Sequence, residues 1–283
     1  MKLFQARPDK KARNMLTLYH NAASTCSQKV RWVFAEKGME FESKEIDLLA
    51  GDQHQDWYTA INPKHVVPSL VDGDAVILES SLIIRYLDDL QPGLALAAPL
   101  ERYRMNKWIH RIDQEIHPVA ATVTFALGPR RLINSQPDEV REASINKIID
   151  PAARAKRRSV LDHGIEAPEF KGALTTFVKM LDDLEAALEG ADWVAGSAPS
   201  LADGAVLPYV LRLSHLGMDP LIDDRPKVAA WFARMQARPS YEESVANWMP
   251  REIVALMRAN GEEEWPGIAA LLAGGIGADQ EVA

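Results

Sequence analysis

The stretch YHNAASTCSQKVRWVFAEKG, residues 19–38, decides how this chain is read, because it runs from a β-type segment through a polar loop into a helix. Leu16 to Tyr19 supplies the β-type run, and Val30, Val33 and Phe34 then recur at helical spacing as one apolar stripe. Gly38 stands where a glycine ends a helix. Thr25 and Gln28 have the spacing of a capping box, which predicts Thr25 as the cap and Cys26 as the first helical residue. Unpaired N–H groups and the positive dipole end favour a thiolate there over a thiol. Three readings stay open on these residues alone. Cys26 is itself ionised; or the helix mouth stabilises a ligand's thiolate, with Ser24 or Thr25 donating to it; or the polar residues only cap and Cys26 packs inward.

Outward from this stretch, Phe41 to Ile46 reads as a second strand, and DQHQDWYTAINP as a loop or short helix closed by Pro63. PSLV and DAVIL pair as a hairpin around Asp72-Gly73, a two-residue type I′ turn. Ser80 caps a helix in which Leu82, Ile83, Tyr86, Leu87 and Leu90 repeat at helical spacing. The order β-α-β-α-β-β-α describes a small mixed sheet with helices on its faces. Residues 92–100 read as a linker. Helical periodicity then dominates over 101–127, 140–160, 168–189, 201–216, 226–237 and 241–259, and Ser200 with Asp203 forms a capping-box pair. The expected organisation is an extension over 1–14, an α/β domain over 15–91, an all-α bundle over 101–260 and a tail over 261–283.

Composition narrows the function classes. One cysteine excludes an internal disulfide, so a reducing cytoplasm is expected. A net charge of −8 argues against a nucleic-acid partner, which needs a concentrated basic surface, and the basic run RAKRR at 154–158 reads as a solvated helix face. No stretch has the roughly 20 apolar residues of a membrane span. The first fourteen residues lack the apolar core of a secretory signal.

Three features converge on one ligand. A thiol-stabilising helix mouth, a proline, Pro68, at the start of a strand, and a carboxylate pocket at Glu79 and Ser80 together suit an extended thiol tripeptide. STCSQKVR, INPKHVVPSL, ESSLIIRYLDD and SLADGA resemble the cytosolic glutathione transferases, strongly over 15–90 and loosely over 100–250. STCSQKVR is most similar to the zeta-type isomerases and the tetrachlorohydroquinone reductive dehalogenases. DQHQDWYTAINP is closer to the theta-like enzymes and bacterial β-aryl-etherases.

The resemblance implies a thioredoxin-like N-terminal domain, an all-α C-terminal domain, glutathione between them, and a homodimer. Ser24 would hydrogen-bond the glutathione sulfur, with Tyr19 and Cys26 as the other catalytic candidates and Thr25 beside them. Val67, before a cis Pro68, would pair with the cysteinyl backbone. Glu79 and Ser80 would hold the γ-glutamyl end, and Gln53, His54 or Lys64 the glycyl carboxylate. Val66 stands where zeta enzymes usually carry Gln, which puts more of the glycyl contact on His54 and Lys64. Trp108, His117 and Phe125 would line the pocket for an apolar or aromatic electrophile.

The implied reaction is attack of glutathione thiolate on that electrophile, as ether cleavage, halide displacement or conjugation in aromatic catabolism. Alternatives are a reductive dehalogenase or maleyl-type isomerase using Cys26, and a non-catalytic binding protein. His110, Asp113 and His117 share a helix face, but Pro118 and the wide spacing speak against a metal.

Overall fold

The structure, a computed structural model, describes residues 15–275. The expected extension over 1–14 and the end of the expected tail, 276–283, lie outside the described residues. A first unit contains β1 (Leu16–His20), α1 (Thr25–Glu36), β2 (Phe41–Glu45), α2 (Asp56–Thr59), β3 (Ser69–Asp72), β4 (Ala75–Ile77) and α3 (Ser80–Leu90). The sheet order is β2-β1-β3-β4, with β1 parallel to β2 and antiparallel to β3, and β3 antiparallel to β4. The β1–α1–β2 crossover makes the parallel pair, as a helical connection must. Fully buried Leu18 and Leu70 stand opposite one another on β1 and β3, so α1 and α3 pack on an apolar sheet face.

At the hairpin and at the start of α3 the structure differs from the sequence reading. β3 runs through Asp72, which pairs with Ala75, so the turn residues are Gly73 and Asp74. Only Gly73 of these takes a positive φ, 60°, as a type II′ rather than a I′ turn requires. At α3 the cap is Glu79, held at φ 66°, and Ser80 is already helical.

The rest is helical. It comprises α4 (Pro99–Arg111), a π turn (Ile112–Ile116), α5 (His117–Leu127), α6 (Arg130–Asn134), α7 (Asp138–Asn146), α8 (Pro151–His163) and α9 (Pro168–Ala187). There follow α10 (Leu201–His215), α11 (Pro220–Asp223), α12 (Pro226–Gln236), α13 (Pro239–Tyr241), a second π turn (Glu242–Ala246) and α14 (Arg251–Ala273). Prolines set most of the boundaries that periodicity alone ran through. Pro151 and Pro250 split the spans expected to be single helices over 140–160 and 241–259. Helix α4 begins at Pro99, within the span read as a linker, and α14 continues through Ala273 into the span read as a tail. No helix among the described residues is long and apolar enough to cross a membrane.

One core joins the two units. α10 is buried along nearly its whole length and packs on α1, where Gly204 lies against Trp32; a Cβ there would sit 2.2 Å from Trp32 Cε3. At its start Ser200 and Asp203 close the expected capping box. Asp203 also accepts from Val194 N at 3.0 Å and Trp231 Nε1 at 2.9 Å, so one carboxylate ties α10 to the preceding loop and to α12.

The basic run is not a plain solvated face. Arg157 lies with Cζ 3.2 Å from the Phe125 ring centroid, and burial lowers its guanidinium to about 10. Arg154 donates to the carbonyl of Ile148 at 3.0 Å.

Candidate active site

The helix mouth is built one residue earlier than the sequence suggests. Ser24 is the cap of α1: its Oγ accepts from Ser27 N at 3.2 Å, three residues on. Thr25 is the first helical residue, and the Gln28 amide turns away to the carbonyl of Ala22 and to Met249 Sδ. Cys26 is therefore the second residue of the helix, over its free N–H groups. With its hydroxyl engaged as a cap, Ser24→Ala is expected to cost about 1 kcal/mol of stability, measured by chemical denaturation.

The loop before the cap is held by two arginines. Buried Arg31 donates to the carbonyls of Asn21 and Ala22, both at 3.0 Å, and through Nε to the carbonyl of Ser244 at 2.8 Å. Arg212 of α10 donates to the carbonyl of Ala23. Burial, ahead of a raising effect from Glu45, brings the Arg31 guanidinium down to about 9.

Cys26 is half-buried and opens on a cavity of about 550 Å³ between the two units. Its sulfur lies 3.5 Å from His117 Nδ1, 3.8 Å from His117 Nε2 and 3.8 Å from Tyr209 Oη. Tyr209 Oη is 3.1 Å from His117 Nδ1. Beneath them Lys29, fully buried, bonds Asp113 Oδ1 and Ser81 Oγ, each at 3.0 Å, and Ser81 donates to Asp113 at 2.8 Å. Burial by itself would raise the Cys26 thiol. The hydrogen bond and charge of His117, the charge of Lys29 and the Ser80 hydroxyl outweigh it and bring the thiol down to about 6, below the ordinary value of about 8.5. His117 moves the opposite way, raised first by its hydrogen bond to Cys26, against burial, and then by the charge on Cys26.

His117 reaches this position through the first π turn. Pro118 has no N–H to give to the carbonyl four residues back, and its ring crowds that carbonyl. The helix widens instead, and the His117 N–H bonds the carbonyl of Ile112, five residues earlier.

The cavity wall carries several of the residues expected for a tripeptide. Val67 and Pro68, joined by a cis peptide, lie on one side, with Lys64, Glu79 and Ser80 at one end. Lys64 Nζ and Glu79 Oε1 are 2.5 Å apart at the exposed rim. Gln53 and His54 do not line it; Gln53 Nε2 and His54 Nε2 are 3.2 Å apart, and His54 is lowered by burial, then by the charges of His65 and Lys147. Thr25 is buried and also absent from the wall.

Tyr19 packs against Tyr58 and Trp57, at ring-centroid distances of 5.9 and 6.3 Å, rather than facing Cys26. Of the expected electrophile pocket, only His117 lines the cavity. Trp108 is buried under Arg111, and Phe125 under Arg157. Lys29, Ser81 and Tyr209 join the site beyond the residues that the sequence predicts. The one local signal was a lysine and an arginine flanking Val30 within an apolar stripe.

Residues 18–95 match the model of the glutathione S-transferase N-terminal domain, and residues 148–239 that of the C-terminal domain. Glutathione S-transferase 3 of Zea mays is 32% identical over 82% of this chain and 93% of that protein. Tetrachloro-P-hydroquinone reductive dehalogenase of Sphingobium chlorophenolicum is 29% identical over 82% of this chain and 97% of that one. Beta-etherase LigF from Sphingobium sp. strain SYK-6 superposes with a TM-score of 0.73 at 28% identity, over 81% of this chain and 98% of that chain.

Proposed function

The chain belongs to the glutathione S-transferase family, and on that premise we propose that it joins glutathione, through sulfur, to an apolar aromatic electrophile at the Cys26 cavity. The observation that carries the site assignment is the Cys26–His117 contact on the wall of that cavity. It supports Cys26, rather than Ser24 or Tyr19, as the side chain that manages the glutathione proton. Ser24 is engaged as a cap and Tyr19 packs elsewhere.

In this reading Val67 pairs with the cysteinyl backbone of glutathione, Glu79 and Ser80 hold its γ-glutamyl end, and Lys64 meets the glycyl carboxylate. The wall at Ile109, His110 and Gln114 then faces the electrophile. The relatives named for ether cleavage and dehalogenation support an acceptor in aromatic catabolism, and the proposed compartment is the cytoplasm. A second reading has a specific observation behind it: a thiol brought to about 6 is itself a nucleophile. Cys26 would then attack the sulfur of a glutathione conjugate, as a reductive dehalogenation requires.

The test is a screen with glutathione and aryl ethers, aryl halides or maleyl-type alkenes, products being identified by mass. Thioether products support transfer, and a protein–glutathione disulfide formed during turnover supports the reductive route. Retention on immobilised glutathione with no turnover would make the chain a binding protein.

A homodimer forms part of the proposal. Leu82 on α3 and Leu100 and Tyr103 on α4 are 57%, 60% and 62% exposed. Arg85 and Asn106, one helical turn beyond Leu82 and Tyr103, bond at 2.8 Å, so the two exposed side chains lie on adjoining ridges. Leu82→Arg combined with Tyr103→Glu is expected to turn a dimer into a monomer in sedimentation velocity. A monomeric unsubstituted protein would sink the dimer.

A further inference from the structure

We propose that His117, held by Tyr209, gives a proton to the leaving group, so that the electrophiles turned over best are ethers, whose oxygen leaves poorly without one. The proposal rests on the transferase reading above and adds a proton donor and a substrate class to it.

Four titratable or charged side chains surround the imidazole: Cys26 and Lys29 from α1, Asp113 from the π turn and Tyr209 from α10. Tyr209 is completely buried, and burial first, then the negative charge of Cys26, push its phenol well up. It therefore stays protonated, with Oη 3.1 Å from Nδ1, and donates to that nitrogen when the ring is neutral. That bond places the proton of the neutral ring on Nε2, whose one hydrogen-bond contact among the described residues is Cys26 Sγ at 3.8 Å. His117 also forms part of the cavity wall, so a group that leaves there has a proton source beside it.

The proton count closes without any further reactant. In the charged pair Cys26 carries the negative charge and His117 a second ring proton, on Nδ1, which then donates to Tyr209 Oη. The Cys26 thiolate takes the proton of the incoming glutathione thiol. The freed sulfur forms its bond to carbon, and the carbon–oxygen bond breaks with both electrons going to oxygen. His117 protonates that oxygen. The proton left on Cys26 passes to His117 and restores the pair. One thiol and one ether are consumed, one thioether and one phenol released, and nothing is oxidised or reduced overall. A halide leaves as a stable anion, so proton donation does little for it.

Two substrates with one carbon skeleton test this: phenacyl phenyl ether and phenacyl chloride, the uncatalysed rate being subtracted for each. In His117→Gln the ratio of kcat/KM for ether to that for chloride is expected to fall at least 30-fold. Tyr209→Phe, acting through the imidazole, is expected to lower the ratio less and to act on kcat more than on KM. Because Cys26 is the only cysteine in the chain, the pH dependence of its alkylation by iodoacetamide reads the pair without turnover. Its midpoint should move up by a pH unit or more in His117→Gln. A ratio within threefold of the unsubstituted protein, or an unmoved midpoint, overturns the proposal. Turnover of the chloride alone by the unsubstituted protein leaves the transferase reading standing and overturns the proposal; turnover of neither overturns both.

Discussion

Cys26→Ala is expected to lower glutathione-dependent turnover at pH 7 by about 100-fold or more, the range typical of losing a positioned proton-transfer group. The argument is one of place and charge. Cys26 sits over the free N–H groups of α1, opens on the cavity, and has an imidazole 3.5 Å from its sulfur. Its thiol is brought down to about 6. The working form is the anion, so turnover in the intact protein should rise with pH through about 6 and halve near that value on the acid side. Above His117's raised value the imidazolium is lost, which gives the profile a falling limb. Cys26→Ser keeps a polar group but not its acidity, and should lose the limb near 6. Initial rates across pH 5 to 9 for the three proteins check this. A Cys26→Ala variant as active as the parent would return the role to the residues around it.

Asp203→Ala is expected to cost about 3–5 kcal/mol of stability, a loss seen when a buried polar network loses its centre. The carboxylate is fully buried and accepts from Ser200 N at 2.9 Å, Ser200 Oγ at 3.0 Å, Val194 N at 3.0 Å and Trp231 Nε1 at 2.9 Å. Each donor left without an acceptor away from water costs about 1–3 kcal/mol, reduced where the chain relaxes. Asp203→Asn keeps one acceptor oxygen and should lose less than half as much. Denaturant unfolding separates the two variants, and equal losses would mean that shape rather than hydrogen bonding matters here. α10 carries Tyr209 and Arg212, so the same substitution should also loosen the active-site loop.

Local pattern made much of this legible. The apolar stripe of α1, the two-residue hairpin and the capping box of α10 each depend on residues within a few positions of one another. The errors of one residue came from competing neighbours. Ser24 and Thr25 both offer a hydroxyl, and the helix keeps the one that meets the Ser27 N–H. Asp72 and Gly73 both suit a turn, and the pairing of Asp72 with Ala75 takes Asp72 into the strand. Around Cys26 the limit is different in kind. His117 and Tyr209 lie 91 and 183 residues away along the chain and arrive on separate helices. Periodicity says which face of each helix is apolar, and is silent on which faces meet. Trp108 and Phe125 are candidates because the resemblance implies that their helix faces the sulfur, yet each is covered by an arginine.

The first π turn sets the phase of everything after it. An ordinary α-helix advances about 100° per residue, so a π turn amounts to one residue let into the winding. Deleting a single residue from Ile112–Ile116 would restore the common pitch and leave His117 facing the same side, whereas winding the same residues as plain α-helix would swing it about 100° around the axis, away from the sulfur. Whether an imidazole faces Cys26 is thus written in the winding of a helix as much as in its letters. Pro118→Ala, which returns the N–H that an α turn needs, could silence the donor while His117 itself stayed in the gene.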